Sequence, residues 1–126
     1  MRCNALLLLV SALSGCANAP SRFVPVTELV SNPSEYEGQD VETCGWFVVE
    51  METCTIAPSK YEDLSAIWVL PRTKTCVPYN WFPGKKGWAH VSGRVQTGGG
   101  YGHLGMYKSV LVGGKITKFG KECGSG

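Results

Sequence analysis

The sequence has few charged residues, and this scarcity limits the classes of protein to which it can belong. Lys, Arg, Asp and Glu make up 17% of the 126 residues, whereas about a quarter is usual. The formal net charge is only +2, which is too weak to indicate a nucleic-acid partner. Hydrophobic residues still reach 44%, an ordinary globular share that argues against wholesale disorder.

The sequence also lacks long hydrophobic runs and long helical patterns. Its N-terminal apolar run, residues 5–13, has nine residues, far short of the ~20 that a membrane-spanning helix needs. A length of 126 residues with 16 Gly and 7 Pro fits one domain of short strands joined by tight turns, rather than a helical bundle.

The N-terminal segment has the pattern of a bacterial export signal. Arg2 precedes the apolar run, and the run ends at residues 13–16, Leu-Ser-Gly-Cys. This ending resembles the lipobox of bacterial lipoproteins, which implies that Cys16 receives a diacylglycerol and that cleavage removes residues 1–15. The alternative is an ordinary secretory signal cleaved near Ala19, because the small residues there also suit that cleavage.

The lipobox resemblance implies a location as well as a modification. Two or three acyl chains give an anchoring that one chain cannot, so we expect membrane lipid to be a partner through Cys16. Ala17, rather than Asp, follows the cysteine. By resemblance to lipoproteins of double-membraned bacteria, this implies the outer membrane, with the protein facing the periplasm. Residues 16–25 are then a lipidated tether, and residues 26–126 form the folded domain.

Alternating apolar and polar residues predict five strands after one short helix. The helix is a single turn with Thr27 as its N-cap, and Asn32-Pro33 ends it. Gly45 and Gly93 lie inside two of the strands and are typical of the sharp bends that a small barrel needs. The predicted strands are residues 40–49, 52–56, 65–70, 88–96 and 108–119.

A set of short motifs extends over most of the predicted domain. The motifs are Leu29-x-x-Asn32-Pro33-x-x-Tyr36-x-Gly38-x-x-Val41, Cys44-Gly45-Trp46, Val91-x-Gly93 and Gly102-His103-Leu104-Gly105-x-Tyr107. Together they resemble a group of small bacterial envelope proteins, over roughly residues 26–118. That resemblance implies an all-β, five-stranded Greek-key barrel of the OB type. Because the motifs are structural rather than catalytic, it implies no activity.

Six cysteines are present, and four remain in the predicted mature chain once Cys3 is cleaved off and Cys16 is lipidated. An even number in an oxidising compartment predicts two disulfides, and four cysteines permit three pairings. Zinc is not expected, because the cysteines form no C-x₂₋₄-C pair and the two histidines are not at finger spacing. The disulfide cysteines are Cys44, Cys54, Cys76 and Cys123.

The OB topology that the resemblance implies selects one of the three pairings. Cys44 lies on the first of the five predicted strands, and Cys54 lies on its hairpin neighbour. Cys76 and Cys123 follow the ends of the third and fifth strands, which are parallel neighbours in that topology and therefore end on the same side. We predict the disulfides Cys44–Cys54 and Cys76–Cys123.

The sequence offers little that could carry catalysis or hold a cofactor. Residues 100–105 match G-x-G-x-x-G, but a dinucleotide site needs a helix after this motif, and β-prone residues follow it here. A hairpin-like loop over residues 97–107 is the better interpretation. His90 and His103 are the only histidines, and neither stands in a pattern with a nucleophile and an orienting carboxylate. We expect no enzyme, no cofactor and no metal.

Binding is the function that the pattern favours. The loops predicted before the fourth and fifth strands interleave aromatic and basic residues, which suit stacking on sugars or bases. The alternative is that the aromatic residues close an open end of the barrel. Trp46 and Trp88 have outward-facing spacing, and we expect them to pack under the helix or the tether. The candidate ligand surface consists of Tyr79, Trp81, Phe82, Lys85, Lys86, Tyr101, His103, Tyr107 and Lys108.

Charge is unevenly distributed along the chain. Residues 17–83 hold four Lys or Arg and nine Asp or Glu, a net of −5, whereas residues 84–126 hold seven and one, a net of +6. The two parts neutralise each other if their strands are neighbours; otherwise one face is basic and favours an anionic partner. We expect a lipid-anchored, non-catalytic binding or assembly module of the bacterial envelope. The alternative function is binding of an anionic oligomer, a glycan in preference to nucleic acid.

Overall fold

The computed structural model of this protein describes residues 21–50, 53–60, 65–71 and 86–124. Strands make up 62% of them and form one six-stranded sheet, which confirms the predicted β-rich class. The elements are β1 Arg22–Phe23, α1 Val26–Ser31, the 3-10 turn Pro33–Tyr36, β2 Asp40–Glu50, β3 Thr53–Ala57, β4 Ile67–Pro71, β5 Lys86–Tyr101, the 3-10 turn His103–Gly105 and β6 Tyr107–Phe119.

The order of strands in the sheet is β1-β2-β3-β4-β6-β5, and β5 also pairs with β2. The pairs β1–β2 and β4–β6 are parallel, and the others are antiparallel. The predicted hairpin of residues 40–49 with 52–56 is confirmed, as is the parallel pairing of residues 65–70 with 108–119. The sixth strand is β1, which lies inside the segment predicted as tether; it joins the sheet because the adjoining Val24 is buried in the core.

The period-two alternation of β2 places its apolar side chains in the core, as the sequence predicts. Val41, Phe47 and Val49 are 0–3% exposed, while Glu42 and Trp46 on the other face are half-buried. The inner faces of the strands and one side of α1 form a single core, whose members are Val24, Val26, Leu29, Val41, Phe47, Val49, Cys54, Ile56, Ile67, Val69, Ala89, Val91, Val95 and Leu111.

Helix α1 is short, and hydrophobic burial rather than capping fixes where it begins. Its N-cap is Pro25 and no side chain caps it, so the prediction of Thr27 as N-cap is wrong. The helix begins one residue before Thr27, because Val26 and Leu29 both reach the core. Full burial of Leu29 contributes about 1.5–3 kcal/mol, more than a cap of about 1 kcal/mol. The helix ends before Pro33, as predicted.

The hairpin of β5 and β6 replaces most of the loop predicted over residues 97–107. β5 continues to Tyr101, and Tyr101 pairs with Tyr107 at the start of β6. The ladder is irregular between Thr97 and Tyr101, and Gly98 has a φ of +83°. A glycine in this left-handed conformation lets a strand bend and then resume its pairing, which a composition-based prediction interprets as a loop.

The predicted disulfide pairing is wrong, because the structure joins Cys44 to Cys123. Cys44 belongs to the outward-facing set of β2, and β3 places Cys54 opposite the inward-facing Val49. The two cysteines therefore point to opposite faces of one hairpin and cannot bridge it. Cys54 is also disulfide-bonded, and Cys76 lies outside the described residues.

Candidate functional site

An open cavity of about 380 Å³ lies on the outer face of β2 and β3. Its volume falls near the lower end of the ~300–1,000 Å³ typical of small-ligand sites. We call it the outer-face cavity. Its lining combines aromatic rings, hydroxyls and charged groups, and consists of Trp46, Val48, Glu50, Thr53, Thr55, Lys60, Lys86 and Tyr107.

Strand register explains why a depression forms at this place. Alternation along β2 turns Trp46, Val48 and Glu50 to the outer face, and β3 pairs Thr55 with Val48 and Thr53 with Glu50. Threonine is short, so the floor on β3 lies lower than the large side chains on either side. The cavity is therefore a consequence of small residues in one strand between aromatic residues in its neighbours.

One wall of the outer-face cavity is Trp46, held by a second tryptophan. Trp46 and Trp88 are directly opposed in the β2–β5 ladder, and their rings meet edge to face with centroids 5.5 Å apart. The Lys60 ammonium lies 5.9 Å from the Trp46 ring centroid, within the range of a cation–π interaction. The two tryptophans pack on each other, and each is half-buried.

The opposite wall is Tyr107, which Trp68 of β4 supports. The two rings are tilted by 44° with centroids 5.2 Å apart. Gly102, in the tip of the β5–β6 hairpin, lies against the other side of this pair, where a Cβ atom would overlap the rings of both Trp68 and Tyr107. The hairpin is thereby docked on the sheet, and it positions Tyr107 at the cavity.

The charges at the rim nearly cancel. The Lys86 ammonium lies 2.7 Å from the Glu50 carboxylate, and both side chains are about half exposed, so this pair contributes little to stability. With Lys60 added, the described residues of the lining carry two ammonium groups and one carboxylate. A net charge of +1 is small for a site that would hold a polyanion.

The floor supplies hydroxyl groups that the fold leaves available. Thr55 lines the cavity although it is only 5% exposed. Within the part of the chain that the structure describes, neither its hydroxyl nor that of Thr53 has a hydrogen-bond partner. A hydroxyl that is open to the cavity can exchange its hydrogen bond with water for one with a ligand.

A row of polar pairs follows the outer face of β2 and β5 away from the cavity. Arg94 bonds both carboxylate oxygens of Asp40, at 3.2 and 3.3 Å, and this hydrogen bonding raises the pKa of Arg94. His90 Nδ1 lies 3.3 Å from Glu42, and the His90 ring is 6.4 Å from that of Phe23. The Arg94–Asp40 and His90–Glu42 pairs connect β5 to β2 across the outer face of the sheet.

The structure brings only part of the predicted ligand surface to this cavity. Lys86 and Tyr107 line it. Tyr101, His103 and Lys108 do not: the Tyr101 hydroxyl donates a hydrogen bond to the Thr97 carbonyl at 2.8 Å, while the other two are exposed on the hairpin. The remaining predicted members lie outside the described residues; they are Tyr79, Trp81, Phe82 and Lys85.

Sequence reasoning missed the cavity residues that lie on β2 and β3. The usable signal was the outward-facing set of residues 40–49, which contains Trp46, together with the small polar Thr53 and Thr55 in the predicted partner strand. The G-x-G-x-x-G segment, residues 100–105, belongs to the hairpin and leads into β6 rather than into a helix.

The described ranges contain no group of three or more His, Cys, Asp or Glu side chains that could hold a metal ion. No helix in these ranges is long and apolar enough to cross a membrane.

Comparison with known proteins finds no relative of this chain. No family model, no curated protein and no solved structure matches it. The resemblance to small envelope proteins therefore stays an expectation.

Proposed function

We propose that this protein is a lipid-anchored, non-catalytic binding module of the bacterial envelope, and that the outer-face cavity is its binding site. The observation that carries the proposal is the lining of that cavity. Trp46 and Tyr107 face a floor of threonine hydroxyls without partners in the described part of the chain. The lipobox-like residues 13–16 support an anchor at Cys16, and Ala17 after the cysteine supports the outer membrane, with the domain facing the periplasm.

The proposed architecture is an OB-like Greek-key barrel. β5 pairs with both β6 and β2, so the pairings pass through β2, β3, β4, β6 and β5 and return to β2. This circuit of five strands supports the proposal, and the short β1 lies outside it. OB barrels bind on the face of their second and third strands and on adjoining loops. β3 occupies the second position in this circuit, and it forms the floor of the outer-face cavity.

A glycan is the ligand class that the lining favours. A sugar ring presents an apolar face that can lie on an aromatic side chain and hydroxyls that exchange hydrogen bonds with Thr, Glu and Lys. Nucleic acid is disfavoured, because affinity for it comes largely from neutralising several phosphates, and the described lining has a net charge of +1. Assembly with another envelope protein is the second role, in which aromatic residues of the cavity would bury an apolar side chain of the partner.

Titration with envelope glycans tests the proposal. Soluble peptidoglycan fragments and lipopolysaccharide core oligosaccharides are added to the folded protein, and tryptophan fluorescence or NMR shifts are followed. We expect saturable binding that weakens only slightly with added salt, because the net charge of the described lining is small. Steep salt dependence would instead indicate an anionic oligomer bound through basic loops. Absence of binding to every glycan would contradict a glycan site.

A matched pair of substitutions assigns any binding to the outer-face cavity. Thr55→Val removes a hydroxyl that lines the cavity, and Thr43→Val removes one inside the core. Neither hydroxyl has a partner in the described residues, so neither change should unfold the protein. We expect Thr55→Val to weaken glycan binding by roughly five- to tenfold and Thr43→Val to leave it unchanged. Equal effects of the two substitutions on glycan binding would contradict the outer-face cavity as the binding site.

A further inference from the structure

We propose that the tip of the β5–β6 hairpin contacts the membrane, with Leu104 and Met106 entering the lipid surface to which Cys16 is anchored. The inference rests on the lipid anchor of the proposed function and adds a second attachment to it. Leu104 and Met106 are not among the described residues that line the outer-face cavity, although the same hairpin contributes Tyr107 to that lining.

The hairpin tip exposes two apolar side chains that do not pack in the core of the domain. Leu104 is 82% exposed and Met106 is 59% exposed. Leu104 also has a φ of +55° and is the one non-glycine residue with positive φ in the described chain. A leucine rarely adopts this conformation, because its side chain crowds the backbone. The hairpin therefore combines backbone strain with an exposed apolar residue, and neither stabilises the isolated domain.

The display is rigid rather than a property of a loose loop. The Gly105 amide donates a hydrogen bond to the Gly102 carbonyl at 3.1 Å, and the Met106 amide donates to the His103 carbonyl at 3.3 Å. Gly102 is packed on the ring of Trp68. A tip that is held in one conformation pays little ordering entropy when it enters another phase.

The hairpin tip and the entry of the chain lie at the same end of the sheet. β1 runs parallel to β2 with Arg22 beside Val41, so the chain enters at the end where β2 begins. β5 runs antiparallel to β2 with Arg94 beside Asp40, so the residues after Arg94 extend toward that same end. We call it the entry end.

An anchor at Cys16 brings the entry end close to the lipid. Ser21 is five positions after Cys16 in the chain, and a fully extended chain over that interval spans at most ~18 Å. Arg22 begins β1 at this end and Lys108 follows the hairpin tip at the start of β6, and both side chains are exposed. Basic residues beside apolar ones suit an interface that carries anionic headgroups, which is why a lipid surface fits this tip better than a protein.

The opposite end of the sheet provides a matched control. Leu70 is 49% exposed and lies near the end of β4, which runs parallel to β6 and therefore away from the hairpin tip. If exposure of an apolar side chain is sufficient for membrane contact, Leu70 and Leu104 should both contact the lipid. If contact also requires a position at the entry end, only Leu104 should contact it.

The experiment uses the full chain, expressed with its signal, purified from membranes and reconstituted into phosphatidylethanolamine–phosphatidylglycerol vesicles. Leu104→Cys, Met106→Cys and Leu70→Cys each add one thiol for an environment-sensitive dye. With Cys16 acylated and the other cysteines in disulfides, the dye should bind once per chain. We expect blue-shifted emission and quenching by brominated lipid at positions 104 and 106. We expect aqueous emission at position 70.

The outcomes separate this inference from the proposed anchor. Aqueous emission at positions 104 and 106, with one dye per chain, overturns the membrane contact and leaves the anchor in place. Equal shifts at positions 104 and 70 also overturn it, because contact would then not depend on the hairpin. Two dyes per chain mean that Cys16 carries a free thiol, and both the anchor and the contact fall. Circular dichroism of each variant establishes that it is folded.

Discussion

Replacing Thr43 with Val tests how the sheet packs its inner face. Thr43 lies on the inward-facing side of β2 and is 0% exposed. Among the described residues its Oγ1 is the buried side-chain oxygen without a hydrogen-bond partner. Valine has nearly the same shape and no hydroxyl, so the substitution keeps the packing and removes the unpaired polar atom. We expect Thr43→Val to raise the free energy of unfolding.

The size of the gain follows from the cost of an unpaired hydroxyl. Burying a hydroxyl without a partner costs about 1–3 kcal/mol in proteins, and the new methyl group adds apolar burial. We therefore expect a gain of about 1–2 kcal/mol. For a domain of this size, each 1 kcal/mol raises the Tm by roughly 4–8 °C.

Urea denaturation followed by circular dichroism measures the change, with Thr97→Val as the control. The Thr97 hydroxyl donates a hydrogen bond to the Glu37 carboxylate at 2.6 Å on the surface, so its removal should lower the free energy of unfolding, by up to about 1 kcal/mol. A loss of stability in Thr43→Val, comparable to that in Thr97→Val, would contradict this prediction. It would mean that the Thr43 hydroxyl has a partner in the folded protein.

Three further predictions concern the hairpin, the disulfides and a tyrosine. Gly102→Ala should destabilise the protein by about 2–4 kcal/mol more than Gly98→Ala in urea denaturation, because both glycines have positive φ but only at Gly102 would a Cβ atom overlap Trp68. Equal losses of stability would contradict the docking of the hairpin on the sheet. The double substitution Cys44→Ala with Cys123→Ala removes a disulfide between residues 79 apart and should lower the free energy of unfolding by about 3–4.5 kcal/mol. Peptide mapping of the native protein should find Cys44–Cys123, with Cys76 as the expected partner of Cys54, and a Cys44–Cys54 peptide would contradict this pairing. Desolvation, followed by the charge and hydrogen bond of Glu28, raises the pKa of Tyr36 above 10.0, so the contribution of Tyr36 to stability is complete below pH ~10 and is lost as the pH rises through the raised pKa. Tyr36→Phe should flatten that part of the stability–pH curve, and an unchanged curve would count against the contact between Tyr36 and Glu28.

Much of the sheet could be predicted from local patterns. Period-two alternation found the buried face of β2 and β5, including Phe47 and Val91, because each strand packs one face on the core. The helix start was missed, since burial of Val26 outweighed the cap that Thr27 could offer. The length of β5 was missed because glycines in the segment after Thr97 permit both a loop and a bent strand.

The site and the disulfide could not be predicted, because both depend on register across distant strands. The outer-face cavity draws Trp46, Thr55, Lys86 and Tyr107 from four different strands, and no local spacing relates them. The disulfide partner of Cys44 also depends on which face of the sheet its side chain occupies, because a difference of one residue in register moves a side chain to the other face. The pairing with Cys123 depends on the path of the chain after β6, which the sequence pattern does not determine.

Intact mass spectrometry of the membrane-extracted protein shows whether the chain is acylated and whether it holds two disulfides. Cleavage before Cys16 removes the first 15 of the 126 residues and leaves 111. We predict the mass of residues 16–126 plus acyl groups, with a gain of about four hydrogens on reduction. An unacylated chain that begins after Ala19 would contradict it, because neither the anchor nor the membrane contact of the hairpin could then hold.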